Sequence, residues 1–415
     1  MNVRALFDQN QERIHALYAN EDVFPRYEAL AQEFKDRFQT DPICFVSAPG
    51  RTEVVGNHTD HNKGRVLAAS VNLDTLAAVA STDNSTVTLY SEGYDEPFIV
   101  DLDALDLQDS EIGTTFALIR GVAARMKALG YVIGGFNACV TSTVFKGSGL
   151  SSSAAFEVML VAIFDALYNG WSIDAKSNAL ISQYAENVYF GKPSGLLDQS
   201  ASAQGGLVTI DFGPQDPPVE AMQYDFAQKG FAVCVVSAGG DHGNLTADYA
   251  AIPAEMKAVA NALGKDVLAQ VSKQELMDAL PTLKGKVNDR ALLRAFHFVD
   301  ETSRVEGAVA ALKRDDIHDF LDIVIASGES SWKLLQNLYV AASDNQEMPL
   351  ALEMSRRMLS GKGAWRIHGG GFAGTILAFV PFELLPEYRE RMNAVFGTNA
   401  VTVLSIRPEG AVCLR

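Results

Sequence analysis

The chain has 415 residues, 48% of them hydrophobic, with no long Gly/Ser/Pro-rich stretch, which suits two packed domains and excludes a disordered or fibrous protein. A formal net charge of −17 without a compensating basic run disfavours nucleic acid or anionic membrane as a partner and points to a small molecule. The first residues mix charged with apolar side chains, unlike a signal or transit peptide, and the longest apolar runs, Val158 to Phe164 and Thr375 to Phe382, fall short of the roughly 20 residues that span a bilayer.

A cytosolic protein is therefore expected. Cys44, Cys139, Cys234 and Cys413 show no CxxC pairing and lie in apolar, strand-like runs, as reduced buried thiols do.

Residues 1 to 40 carry a helical pattern. From Ile43 the period changes, and ICFVSAPG, GRVLAASV, TLAAVAST, STVTLYSE and PFIVDL read as five successive strands. A helix from about Thr114 to Leu129 and a strand in GFNACVTSTV follow. Helical segments are expected over Ser151 to Tyr168, Ile173 to Phe190 and from Leu196, with GLVTIDFG as the strand that closes the first half. A new strand, FAVCVVSAG, starts at Phe231, then a long helical stretch runs to about residue 360. Strands in WRIH, TILAFV and VTVLSI with a helix near 383 to 395 complete the chain. This gives an α+β domain over residues 1–215, a second over 216–415, and a ligand cleft between them.

Residues 147 to 155, GSGLSSSAA, lie between a strand and an amphipathic helix. Gly147 and Gly149 allow backbone N–H groups to approach an anion, and the following helix N-terminus adds unpaired donors. Ser151, Ser152 and Ser153 add hydroxyls for phosphate or Mg²⁺. The same residues also suit a plain turn in which Ser caps the helix. No GK[ST] follows, so this is not a Walker A loop.

Residues 48 to 64, APGRTEVVGNHTDHNKG, gather Arg51, Glu53, Asn57, His58, Asp60 and His61. That density of hydrogen-bonding groups suits a sugar, although His58 with Asp60 also reads as a surface pair and Arg51 as a structural salt-bridge partner. A metal is disfavoured because HxDH has no third ligand cluster elsewhere. In ENVYFGKPSGLLDQ, 186 to 199, Glu186 nears a helix end and Asp198 falls in the first turn of the next helix. There it either complements the helix dipole or accepts a hydroxyl proton. HGGGFAGT, 368 to 375, is a tight hairpin or a close approach to ligand.

In this order the four segments resemble the GHMP kinases, and specifically the galactokinases. G-R-x-N-x-I-G-E-H-x-D-Y aligns from Gly50 to His61, G-x-G-L-S-S-S-A with Gly147 to Ala154, G-I-M-D-Q with Gly195 to Gln199, and G-x-G-F-G-G with Gly369 to Gly374. The resemblance implies a two-domain α+β fold whose C-terminal domain is ferredoxin-like, with the active site in the cleft. It implies a 1-kinase of a galactose-type sugar that uses ATP and Mg²⁺, and a monomer or weak homo-oligomer. Carried over, Asp198 is the proton acceptor, with Arg51 beside it to keep it ionised. Gly147, Ser148, Gly149, Leu150, Ser151, Ser152 and Ser153 hold the phosphates, and Ser153 and Glu186 reach Mg²⁺. Asn57, His58, Asp60, Gly195 and Tyr249, the last in TADYAAIPAEM, form the sugar site.

Glu53 replaces the family's Asn, Asn57 its acidic residue and His61 its Tyr, while Ile252 and Pro253 stand at two family arginines. The family acid at position 57 faces the sugar's 6-hydroxyl, so an amide there permits galacturonate beside galactose, with Lys63 and Arg65 nearby in sequence. On this reading Asn57→Glu keeps or improves galactose turnover and excludes the uronic acid. Plant galacturonokinases share the missing acid and the His. A catalytically silent sugar and ATP sensor and a mevalonate- or homoserine-type kinase are the other readings.

Overall fold

The computed structural model describes the chain apart from residues 1, 20, 145–148, 240–244, 341–343 and 373, and the side chain of residue 246. Gly147 and Ser148 of the glycine–serine loop thus lie outside the described residues.

The first sheet contains β1 (Cys44–Val55), β2 (Arg65–Ser81), β3 (Thr86–Ser91), β4 (Phe98–Asp101), β5 (Phe136–Ser142), β6 (Leu207–Asp211), β7 (Val219–Met222) and β12 (Val412–Leu414). Its order is β12-β1-β2-β5-β3-β4, with β6 and then β7 joined to the first part of β2. Three N-terminal helices, Val3–Gln9, Gln11–Tyr18 and Phe24–Phe38, cover one face against Phe45, Leu76 and Ala78. Helices Thr115–Ala128, Ser152–Phe164 and Ala175–Tyr184 cover the other against Val46, Ala77 and Val79. Burial on both faces explains why β1 and β2 read as nearly continuous apolar runs. The helical stretch Ser152–Asn169 is 18 residues long and apolar enough in composition to cross a membrane, yet 67% of it is buried here as a core helix.

The two strands expected over GRVLAASV and TLAAVAST form one, the 17-residue β2. Polar Asn72 and Asp74 lie at the join of the two runs, and Asp74 is fully buried inside a cluster with Tyr18, Ser47, Arg26 and Arg407. Burial opposes its charge, and the two guanidiniums outweigh that and hold its pKa below the usual carboxylate value. Two strands beyond residue 215, β7 and β12, also complete the first sheet.

The second sheet is antiparallel, in the order β11-β8-β10-β9, from β8 (Phe231–Gly239), β9 (Ala364–Ile367), β10 (Gly374–Pro381) and β11 (Val401–Leu404). Val233, Val235, Leu377 and Phe379 of this sheet share one apolar core with Val54, Val55, Leu67 and Ala69 of the first. That shared core fixes the two units against each other. The 25-residue helix Asp289–Lys313 brings His297 and Glu301 up behind the loop after β1.

Candidate active site

The register of β1 against β2 shifts between Pro49 and Arg51 and again between Glu53 and Val55. Such irregularities bend a strand and re-aim its side chains. They fall where the polar signature begins, and from β1 the side chain of Arg51 reaches Asp198. Arg51 Nε donates to Asp198 Oδ1 at 2.6 Å, while Nη1 donates to the carbonyl of Gly149.

Asp198 stands in the first turn of the helix Leu197–Gln204, but its oxygens serve other elements. Oδ2 accepts from Ser151 Oγ at 2.6 Å. The Ser151 hydroxyl makes no cap bond to its own helix, and its backbone is left-handed at φ 59°. Ser151 is thus spent on the aspartate rather than on a helix cap. Burial opposes ionisation of Asp198, but the charge and hydrogen bond of Arg51 and the bond from Ser151 hold its pKa below the usual range. It is a carboxylate at neutral pH, still 31% exposed to the cleft.

Two cavities meet at Asp198 and Gly370. The larger, about 280 Å³, is lined by Arg51, Gly149, Ser151, Ser152, Ser153 and Lys192. These residues present hydroxyls and two cations, the donors a phosphate chain needs. Gly149 has φ +71°, and a Cβ there would fall 2.7 Å from His368 Nδ1. Only glycine lets this turn close against the second unit. Leu150 is buried, and its carbonyl accepts from the N–H of Arg51 at 3.0 Å.

At the inner end of this cavity Ser153 Oγ donates to Glu186 Oε1 at 3.2 Å. Glu186 lies in a π-helical turn, Ala185–Phe190. Gln199 Nε2 donates both to Glu186 Oε2, at 2.8 Å, and to Glu157 Oε2, at 3.1 Å. Burial, and then the charge of Glu186, raise the Glu157 carboxyl well above its ordinary pKa. Ser153 and Glu186 therefore offer hard oxygen donors of the kind Mg²⁺ takes.

The smaller cavity, about 140 Å³, is lined by Glu53, His58, Asp60, His61, Gly195 and Asp198 among others. A Cβ on Gly195 would meet Asp60 Oδ2 at 2.4 Å, so glycine is what lets the Asp60 carboxylate into this wall. His58 Nε2 contacts the carbonyl of Gly370 at 2.8 Å. Burial lowers the His58 pKa to about 4, so the ring is neutral and its Nε2 is the donor.

Two expected sugar ligands are placed differently. Asn57 reaches the cavity wall, but its side chain is fully buried and bonded to Glu53, Gly369, Asn337 and Ser331. Tyr249 lines the larger cavity, not the smaller, and its hydroxyl donates to the carbonyl of Gly371 at 2.7 Å. Both positions align with family motifs, Asn57 as a departure from the family's acidic residue, yet their polar atoms are held by partners far along the chain.

Sequence reasoning missed Lys192 and His368. Lys192 Nζ donates to Glu186 Oε1 at 2.9 Å from the turn that follows the π-helix. A lone lysine in GKPSG carries no periodic or motif signal. His368 bridges Thr52, at 3.0 Å, and Thr375, at 2.9 Å, and so ties β1 to the second unit.

A cleft lined by phosphate donors that opens across one ionised aspartate into a small polar cavity defines a phosphotransferase of the GHMP kinase type. Residues 117–206 match the family model of the GHMP kinases N terminal domain, and residues 32–81 match the galactokinase galactose-binding signature. Galactokinase of Streptomyces coelicolor is 31% identical over 359 residues, which span 85% of this chain and 88% of that protein. Human galactokinase is 30% identical over 390 residues, spanning 92% and 95%. The crystal structure of Lactococcus lactis galactokinase complexed with galactose has the same fold, with a TM-score of 0.81 over 93% of this chain and 99% of that one at 23% identity. The chain belongs to the galactokinase family.

Proposed function

We propose that the protein transfers the γ-phosphoryl group of ATP to the anomeric hydroxyl of galactose, giving galactose 1-phosphate and ADP. The observation that carries this reading is the position of Asp198, ionised by Arg51 and shared by the two cavities. A hydroxyl held in the smaller cavity meets the carboxylate, and phosphates in the larger meet Ser151, Ser152 and Ser153. Asp198 accepts the hydroxyl proton as the new O–P bond forms. Arg51 keeps that carboxylate charged and places a fixed cation beside the transferring group.

Ser153 and Glu186 fit a magnesium ion, since both are oxygen donors and Glu186 already attracts the Lys192 ammonium. Among the described residues no group of three carboxylates, imidazoles or thiols is placed so as to hold a metal ion. That suits an ion held by few protein ligands together with substrate phosphates. Gln199 orients Glu186, and an ion held by Ser153 and Glu186 would neutralise charge on the phosphates. We place the enzyme in the cytosol, as a monomer or weak homo-oligomer.

The test is a ³¹P NMR and ADP-release assay with ATP, magnesium and a panel of hexoses. Galactose is expected to give an anomeric phosphate with the highest kcat/KM of the panel. ATP and galactose binding without turnover would instead support a sugar sensor.

A further inference from the structure

The acid and the amide of the sugar signature have exchanged positions and are in contact here. The family pattern has Asn where this chain has Glu53 and an acid where it has Asn57; here Asn57 Nδ2 donates to Glu53 Oε1 at 2.9 Å. The surroundings fix that order. Nδ2 also donates to the carbonyl of Gly369 at 2.8 Å, while Oδ1 accepts from Asn337 Nδ2 at 2.9 Å and from Ser331 Oγ at 3.3 Å. Two acceptors face the amino end and two donors face the carbonyl end, a demand that an amide meets and a carboxylate does not. At position 53 the demand is reversed, because the fully buried Arg366 sets Nη2 3.2 Å from Glu53 Oε1.

Both of these contacts fall on Oε1 of Glu53, and Glu53 forms part of the sugar cavity wall with Asp60 and Asp198. No Lys or Arg is among the described lining residues. Arg65 is held by Asp211 and Glu306, and Arg51 by Asp198 and Gly149. Arg366 has no exposed side-chain surface. We infer that Glu53, in place of Asn57, supplies the carboxylate that reads a sugar hydroxyl, and that the cavity admits neutral galactose and rejects galacturonate. The inference rests on the sugar kinase reading above. A uronic acid would bring a further negative charge to a wall of three carboxylates with no Lys or Arg among its described lining residues to meet it. Asn57→Glu would turn two acceptors against acceptors, so it does not restore the family site and is expected to impair every sugar.

The experiment measures kcat/KM for galactose, galacturonate and the 2-, 3-, 4- and 6-deoxygalactoses in the wild type and in Glu53→Gln. It is run at pH 8, because burial raises the Glu53 pKa against the opposing charges of Arg366 and Arg51. The wild type is expected to favour galactose over galacturonate by about 100-fold or more. Glu53→Gln is expected to lose about 10-fold on galactose, mainly in KM, and to narrow the galactose to galacturonate ratio by about 10-fold. One deoxygalactose should be poor for the wild type yet suffer no added penalty in the variant, which names the hydroxyl that Glu53 reads. A wild type that prefers galacturonate overturns the inference and leaves the sugar kinase reading standing. So does an unchanged ratio in a variant that melts normally and binds ADP. Phosphorylation of neither sugar overturns both readings. If Glu53→Gln does not fold, the wild-type ratio alone decides.

Discussion

Arg51 Nε lies 2.6 Å from Asp198 Oδ1, and the same carboxylate takes the Ser151 hydroxyl on its other oxygen. Two donors thus hold the proposed base ionised and aimed at the junction of the cavities. Asp198→Asn is expected to lower kcat by about 10² or more with small effects on ADP and galactose binding, as loss of a general base does. Arg51→Ala should also lower kcat, and the double variant should fall short of the product of the single losses. The Arg51 variant carries a second signature. Without the guanidinium, burial is opposed only by the Ser151 bond and the charge of Lys192, so the Asp198 pKa rises and the acid limb of the kcat profile moves to higher pH. Multiplicative losses with an unmoved acid limb would give the two residues separate roles.

Lys192 Nζ and Ser153 Oγ converge on one oxygen of Glu186. Ser153→Ala and Glu186→Gln are each expected to raise the Mg²⁺ concentration for half-maximal rate, since each removes an oxygen donor. Lys192→Met removes a cation from the phosphate cavity and should raise KM for ATP about 10-fold while KM for galactose stays fixed. Magnesium titrations at constant ATP, with ATP titrations at saturating magnesium, separate the two effects.

Gly195 tests the geometry of the sugar wall. A methyl group there would lie 2.4 Å from Asp60 Oδ2, so Gly195→Ala must move the Asp60 carboxylate. KM for galactose is expected to rise about 10-fold or more, with KM for ATP within about twofold of wild type. An unchanged galactose KM would remove Asp60 from the sugar site.

Glu301 anchors the loop after β1 from behind by accepting from the N–H of Gly56 at 2.9 Å, from Arg304 and from Ser327. Burial opposes its charge, but His297, Arg366, Arg304 and the Ser327 bond outweigh it and lower its pKa to about 2. A depressed pKa gives stability that is present above the unfolded value near 4.5 and lost as pH falls to about 2. Glu301→Gln should therefore be less stable than the wild type at pH 7 in urea unfolding, and the gap should close as pH falls through this window. A gap that stays constant down to pH 2.5 would show that Glu301 is not held ionised.

The sequence by itself determined the parts that are contiguous and locally constrained. Gly149 is demanded by a left-handed turn before a helix, Asp198 opens a helix after a small-residue turn, and the four motifs in order were enough to identify the family. The alternation of apolar residues placed most strands, but not the continuity of β2, because Asp74 is satisfied by Arg26 and Arg407, which lie far away in the chain. Tertiary structure alone decided which polar atoms of the signature are taken up by protein partners and which line the cavity. Asn57 sits amid the polar residues of the signature, yet its partners Ser331, Asn337 and Gly369 stand 274, 280 and 312 residues later in the chain. A hydrogen-bonding side chain serves whichever partners the fold brings within about 3 Å, and the spacing of residues along one segment does not encode groups delivered from another. That is why Glu53, which reads as a departure from the family, stands in the cavity wall with Arg366 and Asn57 beside it.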